Sequence, residues 1–335
     1  MHFGNVELHN VCVAEPFGNG GVYLRRFPAS VRSVLKNASL ERANNSSGCE
    51  VRFISDCDEV YVTLMSKDRN SFIYTYCGDY LCERIELSAN EKTTVCIKQP
   101  ENYTKVDLSL IKKRFSPLVY RVFISCSCEC VFFEASDAIN SVRPPKAQHL
   151  PYVRWFAYGS SITQGIWSIV SCDSYIHHAA KRLGVDVFCK GMSGTCFCEN
   201  EMMDYLAKPD NWDFITMEIG VNMYEMPLEE FKDRVSYGIE KVCSENKGKP
   251  IFVITPFPNI FSFGNDEKFR SKHCEFTEFL LRFNGSGVKV IDGAKILDDY
   301  TYLSHDLLHP TDYGHMCMGE NLAATLRKEL EYIKE

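Results

Sequence analysis

Four short stretches hold the residue types that acyl transfer needs. Tyr158-Gly159-Ser160-Ser161-Ile162-Thr163-Gln164-Gly165 follows the apolar run VRWFAY and offers two adjacent hydroxyls. Gly191-Met192-Ser193-Gly194-Thr195 and Gly220-Val221-Asn222 each close a further apolar run. Asp306-Leu307-Leu308-His309-Pro310 precedes the last helical segment. Acyl transfer wants a hydroxyl nucleophile, a base, a carboxylate to orient the base and donors for an oxyanion. Three residues apart on a turn, Asp306 and His309 project to the same side. The carboxylate can then take the imidazole Nδ1 proton and leave Nε2 to accept from a serine. Gly194, lacking a Cβ, allows close approach to its N–H. Asn222 offers an amide donor, and the nucleophile's own N–H is a third. The residues alone do not choose between Ser160 and Ser161.

These stretches act together only if the fold gathers them. From about residue 150 to 335, the apolar strands VRWFAY, VDVFCKG, FITMEIG, IFVITPF and VKVIDGA alternate with helical segments. That rhythm predicts a three-layer α/β domain with a parallel sheet covered on both faces. Ligands of open α/β sheets bind beyond the carboxyl ends of the strands, where all four stretches fall. Residues 1–145 read differently. Short strands VRFIS, EVYVTLM, SFIYTYC, TTVCIK, TKVDLSL, LVYRVFIS and CVFFEA predict an antiparallel sandwich or jelly roll. Only SVRSVLKN looks helical there. Residues 141–149, with Pro144 and Pro145, read as a linker.

With these blocks in this order, the chain resembles the SGNH hydrolases, the GDSL esterase/lipase superfamily, over about residues 152–330. The resemblance places Ser161 on the nucleophile, His309 on the base, Asp306 on its partner, and Ser161, Gly194 and Asn222 on the oxyanion donors. It favours His309 over the neighbouring His305. Ser160 stands where relatives carry aspartate, Cys189-Lys190 precede Gly191 where asparagine is common, and Met223 replaces a frequent aspartate. A β-sandwich ahead of such a domain is similar to two-domain bacterial SGNH esterases, carbohydrate esterases among them. The implied activity is hydrolysis of a small acyl ester, acetyl by resemblance, with the sandwich in a substrate-selecting role. An acyltransferase using the same acyl-enzyme, or a non-catalytic carbohydrate-binding protein, are the alternatives.

Composition bounds the partners. The net charge is −7, from 37 basic and 44 acidic residues, and no basic patch carries interleaved aromatics, which argues against nucleic acid. No apolar run approaches a membrane span, and the N-terminus has no secretory pattern, so the expectation is a cytoplasmic protein off the membrane. The 16 cysteines then read as reduced thiols. Cys126, Cys128 and Cys130 alternate with Phe132 as one core face, against a metal site. No GxSxG, GxGxxG, Walker A or HExxH pattern occurs. The expected site uses no cofactor and no metal. Arg25 and Arg26 read as surface or interdomain ion pairs, Trp167 as a buried indole or a pocket wall, and His315 as helix packing near the site. The sequence leaves the oligomeric state open.

Overall fold

The computed structural model describes the chain except residues 108–109, 111–113, 126–127, 167, 169–170, 209–211, 286 and 331–335. Trp167 and Cys126 lie outside the described residues. Two compact units emerge: Met1–Arg32 with Ala43–Tyr152, and Ser33–Arg42 with Val153–Glu335.

The first unit is a sandwich of two antiparallel sheets. Its strands are His2–Phe3 (β1), Val6–His9 (β2), Val13–Gly18 (β3), Gly21–Arg25 (β4), Glu50–Phe53 (β5), Glu59–Lys67 (β6), Ser71–Cys77 (β7), Tyr80–Leu87 (β8), Thr93–Lys98 (β9), Tyr120–Ile124 (β10) and Glu129–Ser136 (β11). One sheet runs β1-β2-β5-β10-β7-β8 and the other β3-β4-β11-β6-β9. Inward residues of both sheets, among them Val51, Phe53, Val62, Leu64, Ile73, Val122, Cys130 and Phe132, form one core. Cys128 and Cys130 are part of it, as small apolar residues on an inner face are. Among the described residues the cysteines form no disulfide.

Several expectations for this half need correction. Within TKVDLSL, residues up to Lys105 belong to a 3₁₀ turn, Glu101–Lys105, and Leu108 and Ser109 lie outside the described residues. The helix expected over SVRSVLKN is instead two, Ala29–Arg32 (α1) and Asn37–Asn44 (α2). Arg25 and Arg26 are buried: Arg25 bonds Glu15 at 2.8 Å and Glu129 at 2.5 Å, and Arg26 Nε donates to the Asn45 carbonyl at 2.7 Å. Arg143, in the expected linker, pairs its backbone with Ile54, so that segment is tied to the sandwich.

In the second unit the strands are Arg154–Gly159 (β12), Asp186–Gly191 (β13), Phe214–Glu218 (β14), Ile251–Ile254 (β15) and Lys289–Ile291 (β16). All pair in parallel, in the order β13-β12-β14-β15-β16. The helices are Ser161–Gln164 (α3), Tyr175–Leu183 (α4), Asn200–Leu206 (α5), Leu228–Glu245 (α6), Ile260–Phe263 (α7), Glu267–Leu281 (α8) and Asp312–Glu329 (α9). Strand alternation splits β12 between the two helical layers. Trp155 and Ala157 join a core with Ile176, Ala179 and Leu183 of α4 and Met318, Leu322 and Leu326 of α9. Phe156 meets Phe188 and Tyr205 on the other face. Among the described residues no helix is long and apolar enough to cross a membrane.

Strand β12 thus carries large buried side chains to both layers. Trp155 is fully buried, stacks on Phe214 at 5.5 Å and donates its indole N–H to Thr216 Oγ1 at 2.9 Å. Trp155→Ala leaves a cavity and an unpaired hydroxyl, and is expected to cost about 3–5 kcal/mol of stability. Denaturant unfolding followed by far-UV circular dichroism measures it; a loss under about 1 kcal/mol contradicts this packing.

Candidate active site

The β12 strand ends at Gly159, and the chain turns at once into the single helical turn α3. Ser160 caps that turn: its backbone is extended and its Oγ accepts from Ile162 N at 3.2 Å. Serine and aspartate are both good N-caps, which accounts for serine where relatives carry aspartate. Gly165 closes the turn in the left-handed conformation at φ 86°. Ser160 is sealed from solvent and spends its hydroxyl on the cap. Ser161, the next residue, lies with Oγ 2.8 Å from His309 Nε2. The ambiguity between the two serines is therefore geometric, and only Ser161 reaches the imidazole.

His309 is set by its own loop. Asp306 Oδ2 lies 2.7 Å from His309 Nδ1. Its other oxygen, Oδ1, accepts from Leu308 N and His309 N, both at 2.9 Å, and from Ser304 Oγ at 2.8 Å. Partial burial pushes the Asp306 pKa up, but the bonds from His309, Leu308 and Ser304 outweigh it and hold the carboxyl well below the usual range. A carboxylate on Nδ1 keeps the proton there and presents Nε2 as an acceptor. The loop is fixed at both ends. Ser304 N bonds the His309 carbonyl at 2.8 Å, Ile260 N bonds the Leu307 carbonyl at 2.8 Å, and Thr311 caps α9 through Gly314 N at 3.1 Å. Leu307 has φ 54°, a strained choice for a leucine. His305 is exposed and His309 mostly covered.

The expected oxyanion donors stand on the two neighbouring loops. Gly194, at φ 70°, is exposed, and a Cβ there would meet nothing within 4 Å. Its loop is stapled to the Ser161 turn: Met192 N donates to the Gly159 carbonyl at 2.8 Å and Ser193 N to Gln164 Oε1 at 2.9 Å. Asn222 Oδ1 accepts from Cys196 N at 3.1 Å, which orients the amide and leaves Nδ2 as its donor. The other departures from the family pattern are packed: Met223 is fully buried, and Lys190 lies with Nζ 5.0 Å from the Phe156 ring centroid.

One group escaped the sequence reading. Glu218, the last residue of β14, is fully buried, and its Oε2 accepts from Ser160 N at 2.7 Å and from Thr163 Oγ1 at 3.2 Å. Thr163 Oγ1 lies 2.7 Å from the Tyr175 hydroxyl. Burial raises the Glu218 pKa to about 7, against the bonds from Ser160 and Thr163. Burial also pushes Tyr175 and Cys196 far up, so neither neighbour adds charge. The available signal was the lone acid in an otherwise uncharged strand. His315 is buried as well, stacked on Tyr175, with its pKa lowered to about 4 by burial. His177 and His178 lie on the inner and outer sides of α4, bonded to Ser174 and Glu320.

Residues 157–317 match the GDSL-like lipase/acylhydrolase family. No curated protein matches the chain in sequence. Among solved structures, a salicylyl-acyltransferase from a tetracycline biosynthetic pathway superposes with TM-score 0.79 at 13% identity, over 96% of this chain and 95% of that one. A protein from Bacteroides ovatus described as a GDSL-like lipase gives TM-score 0.66 at 16% identity, over 98% and 96%. A family two carbohydrate esterase from Clostridium thermocellum, in complex with cellohexaose, gives 0.59 at 16%, over 85% and 94%. At these identities the likeness shows the fold alone: an all-β domain followed in the chain by an α/β domain.

Glu218 and His315 make opposed contributions to stability against pH. Glu218, raised from 4.5 to about 7, stabilises the folded state fully below pH 4.5 and loses that contribution as pH rises through about 7. His315, lowered from 6.5 to about 4, contributes above pH 6.5 and loses it as pH falls toward 4. Glu218→Gln removes only the first. Its stability relative to wild type is expected to rise from pH 5 to 8, by up to about 1.4 kcal/mol per unit. Urea denaturation across that range checks it, and a flat difference contradicts it.

Proposed function

Taking the α/β unit as a GDSL-like lipase/acylhydrolase domain, we propose that the protein is a serine esterase acting on a small acyl ester, acetyl in the first instance, of a carbohydrate. The observation that carries this reading is the continuous chain from Ser161 Oγ to His309 Nε2 at 2.8 Å and from His309 Nδ1 to Asp306 Oδ2 at 2.7 Å. The carbohydrate part is supported by the family two carbohydrate esterases among the structural neighbours.

In this reading Ser161 Oγ attacks the ester carbonyl as His309 Nε2 removes its proton. The imidazolium that forms is stabilised by the Asp306 carboxylate, which stays ionised because four donors hold its charge. The tetrahedral oxyanion takes the Ser161 N–H, the Gly194 N–H and the Asn222 amide. His309 then gives its proton to the leaving alcohol. Water then attacks the acyl carbon as it loses a proton to His309, and His309 returns that proton to Ser161 Oγ as the Oγ–acyl bond breaks and the acid leaves. An alcohol entering in place of water would give acyl transfer through the same intermediate, which product analysis with added sugar acceptors separates.

Ser161→Ala is expected to abolish turnover of 4-nitrophenyl acetate, a loss of at least about 1,000-fold. Ser160→Ala keeps a measurable rate, because it loses a cap worth about 1 kcal/mol and no reacting group. Steady-state rates of the two variants decide; the reverse pattern overturns the assignment.

A further inference from the structure

The turn that carries Ser161 is one helical turn long, too short to hold itself in place. Its cap and its closing glycine fix the two ends. Its underside rests on Glu218. Two donors from the turn, the Ser160 N–H and the Thr163 hydroxyl, converge on the single oxygen Oε2, at 2.7 and 3.2 Å. With the Thr163 hydrogen committed to that oxygen, the Tyr175 hydroxyl donates to Thr163 Oγ1 at 2.7 Å. The hydrogen bonds thus run one way, from Tyr175 of α4 through Thr163 of α3 to Glu218 of β14. Ser160, Thr163 and Glu218 are each fully buried. The fit is close: a Cβ added at Gly159 would sit 2.2 Å from Thr163 Oγ1 and 2.7 Å from Glu218 Oε2.

We propose that Glu218 is a positioning residue for the esterase reaction: its Oε2 pins the Ser160–Thr163 turn from below, so that the Ser161 hydroxyl and N–H keep their places for attack and oxyanion binding. This rests on the reading of Ser161 as nucleophile. Glu218 touches no reacting atom and acts through the backbone beside Ser161. Separately from the carboxyl, the Glu218 backbone carbonyl receives Cys196 Sγ at 3.6 Å, and Cys196 N in turn donates to Asn222 Oδ1, a contact that side-chain replacement at 218 leaves in place. What the turn requires of position 218 is an acceptor oxygen of the right reach. Glutamine supplies one; alanine and methionine do not.

The test is kcat and KM for 4-nitrophenyl acetate in Glu218→Ala, Glu218→Gln, Glu218→Met and Ser161→Ala. Glu218→Ala is expected to lower kcat about 100-fold, the scale of an ångström-level misplacement, with KM within about threefold of wild type. Glu218→Gln restores kcat to within about tenfold of wild type. If Glu218→Ala yields no folded protein, Glu218→Met takes its place, filling the space without an acceptor. The proposal is overturned if the variant lacking an acceptor keeps kcat within about threefold, if its loss lies in KM, or if Glu218→Gln is no better than that variant. The two readings fail separately. An inactive Ser161→Ala beside an unimpaired Glu218→Ala removes only the positioning role, whereas an active Ser161→Ala removes the nucleophile and this inference with it.

Discussion

The bond between Asp306 Oδ2 and His309 Nδ1 is the constraint on which the site depends. An imidazole has one donor and one acceptor when neutral, and its usefulness as a base depends on which nitrogen is which. The short loop between Asp306 and His309 settles that locally. The same carboxylate that holds Nδ1 also takes the backbone N–H of His309 and of Leu308, so the ring, its tautomer and its loop are fixed together. The left-handed backbone at Leu307 is the strain that this tight geometry carries.

Everything else brings a serine to the free nitrogen. A parallel sheet sends its strands out at one edge, so three successive loops and the last connection meet there. The loops are then bonded to one another: Met192 and Ser193 to the turn that carries Ser161, Cys196 to Asn222, and Glu218 to Ser160 and Thr163. These bonds are mostly buried, where an unmade partner costs roughly 1–3 kcal/mol, so they favour a single arrangement of the loops. Preorganisation of this kind is what a covalent acyl-transfer site needs, because donors must be in place before charge develops.

The strands and helices of the α/β unit were legible because apolar runs and helical segments alternate there without ambiguity. Asp306 and His309 were legible because their partnership is local, three residues apart. Choosing Ser161 over Ser160 was beyond the residues alone: both share one turn, and the choice depends on which hydroxyl faces a loop 148 positions away. Glu218 was missed for the same reason, since its partners Ser160 and Thr163 lie 58 and 55 positions away. In the sandwich the losses have other causes. Strand β8, YLCERIEL, is an edge strand with charged side chains and little alternation, so no period-2 signal marked it. The β3–β4 hairpin did carry a readable signal. Asn19-Gly20 sits at its tip with both residues at positive φ, the requirement of a type I′ turn. TKVDLSL alternates like a strand, yet Pro100 precedes it and the chain there starts as a 3₁₀ turn.

The proposed reaction passes through a covalent step at one hydroxyl, and that step can be weighed directly. Rapid mixing with 4-nitrophenyl acetate, acid quench, and mass spectrometry of the digested protein locates any acyl group. The account predicts one acetyl per chain on the segment spanning β12 and α3, assigned by fragmentation to Ser161 and lost with time as the acid is released. Turnover without an adduct, or an acetyl on Ser160 or another residue that forms and decays at the rate of turnover, would contradict it.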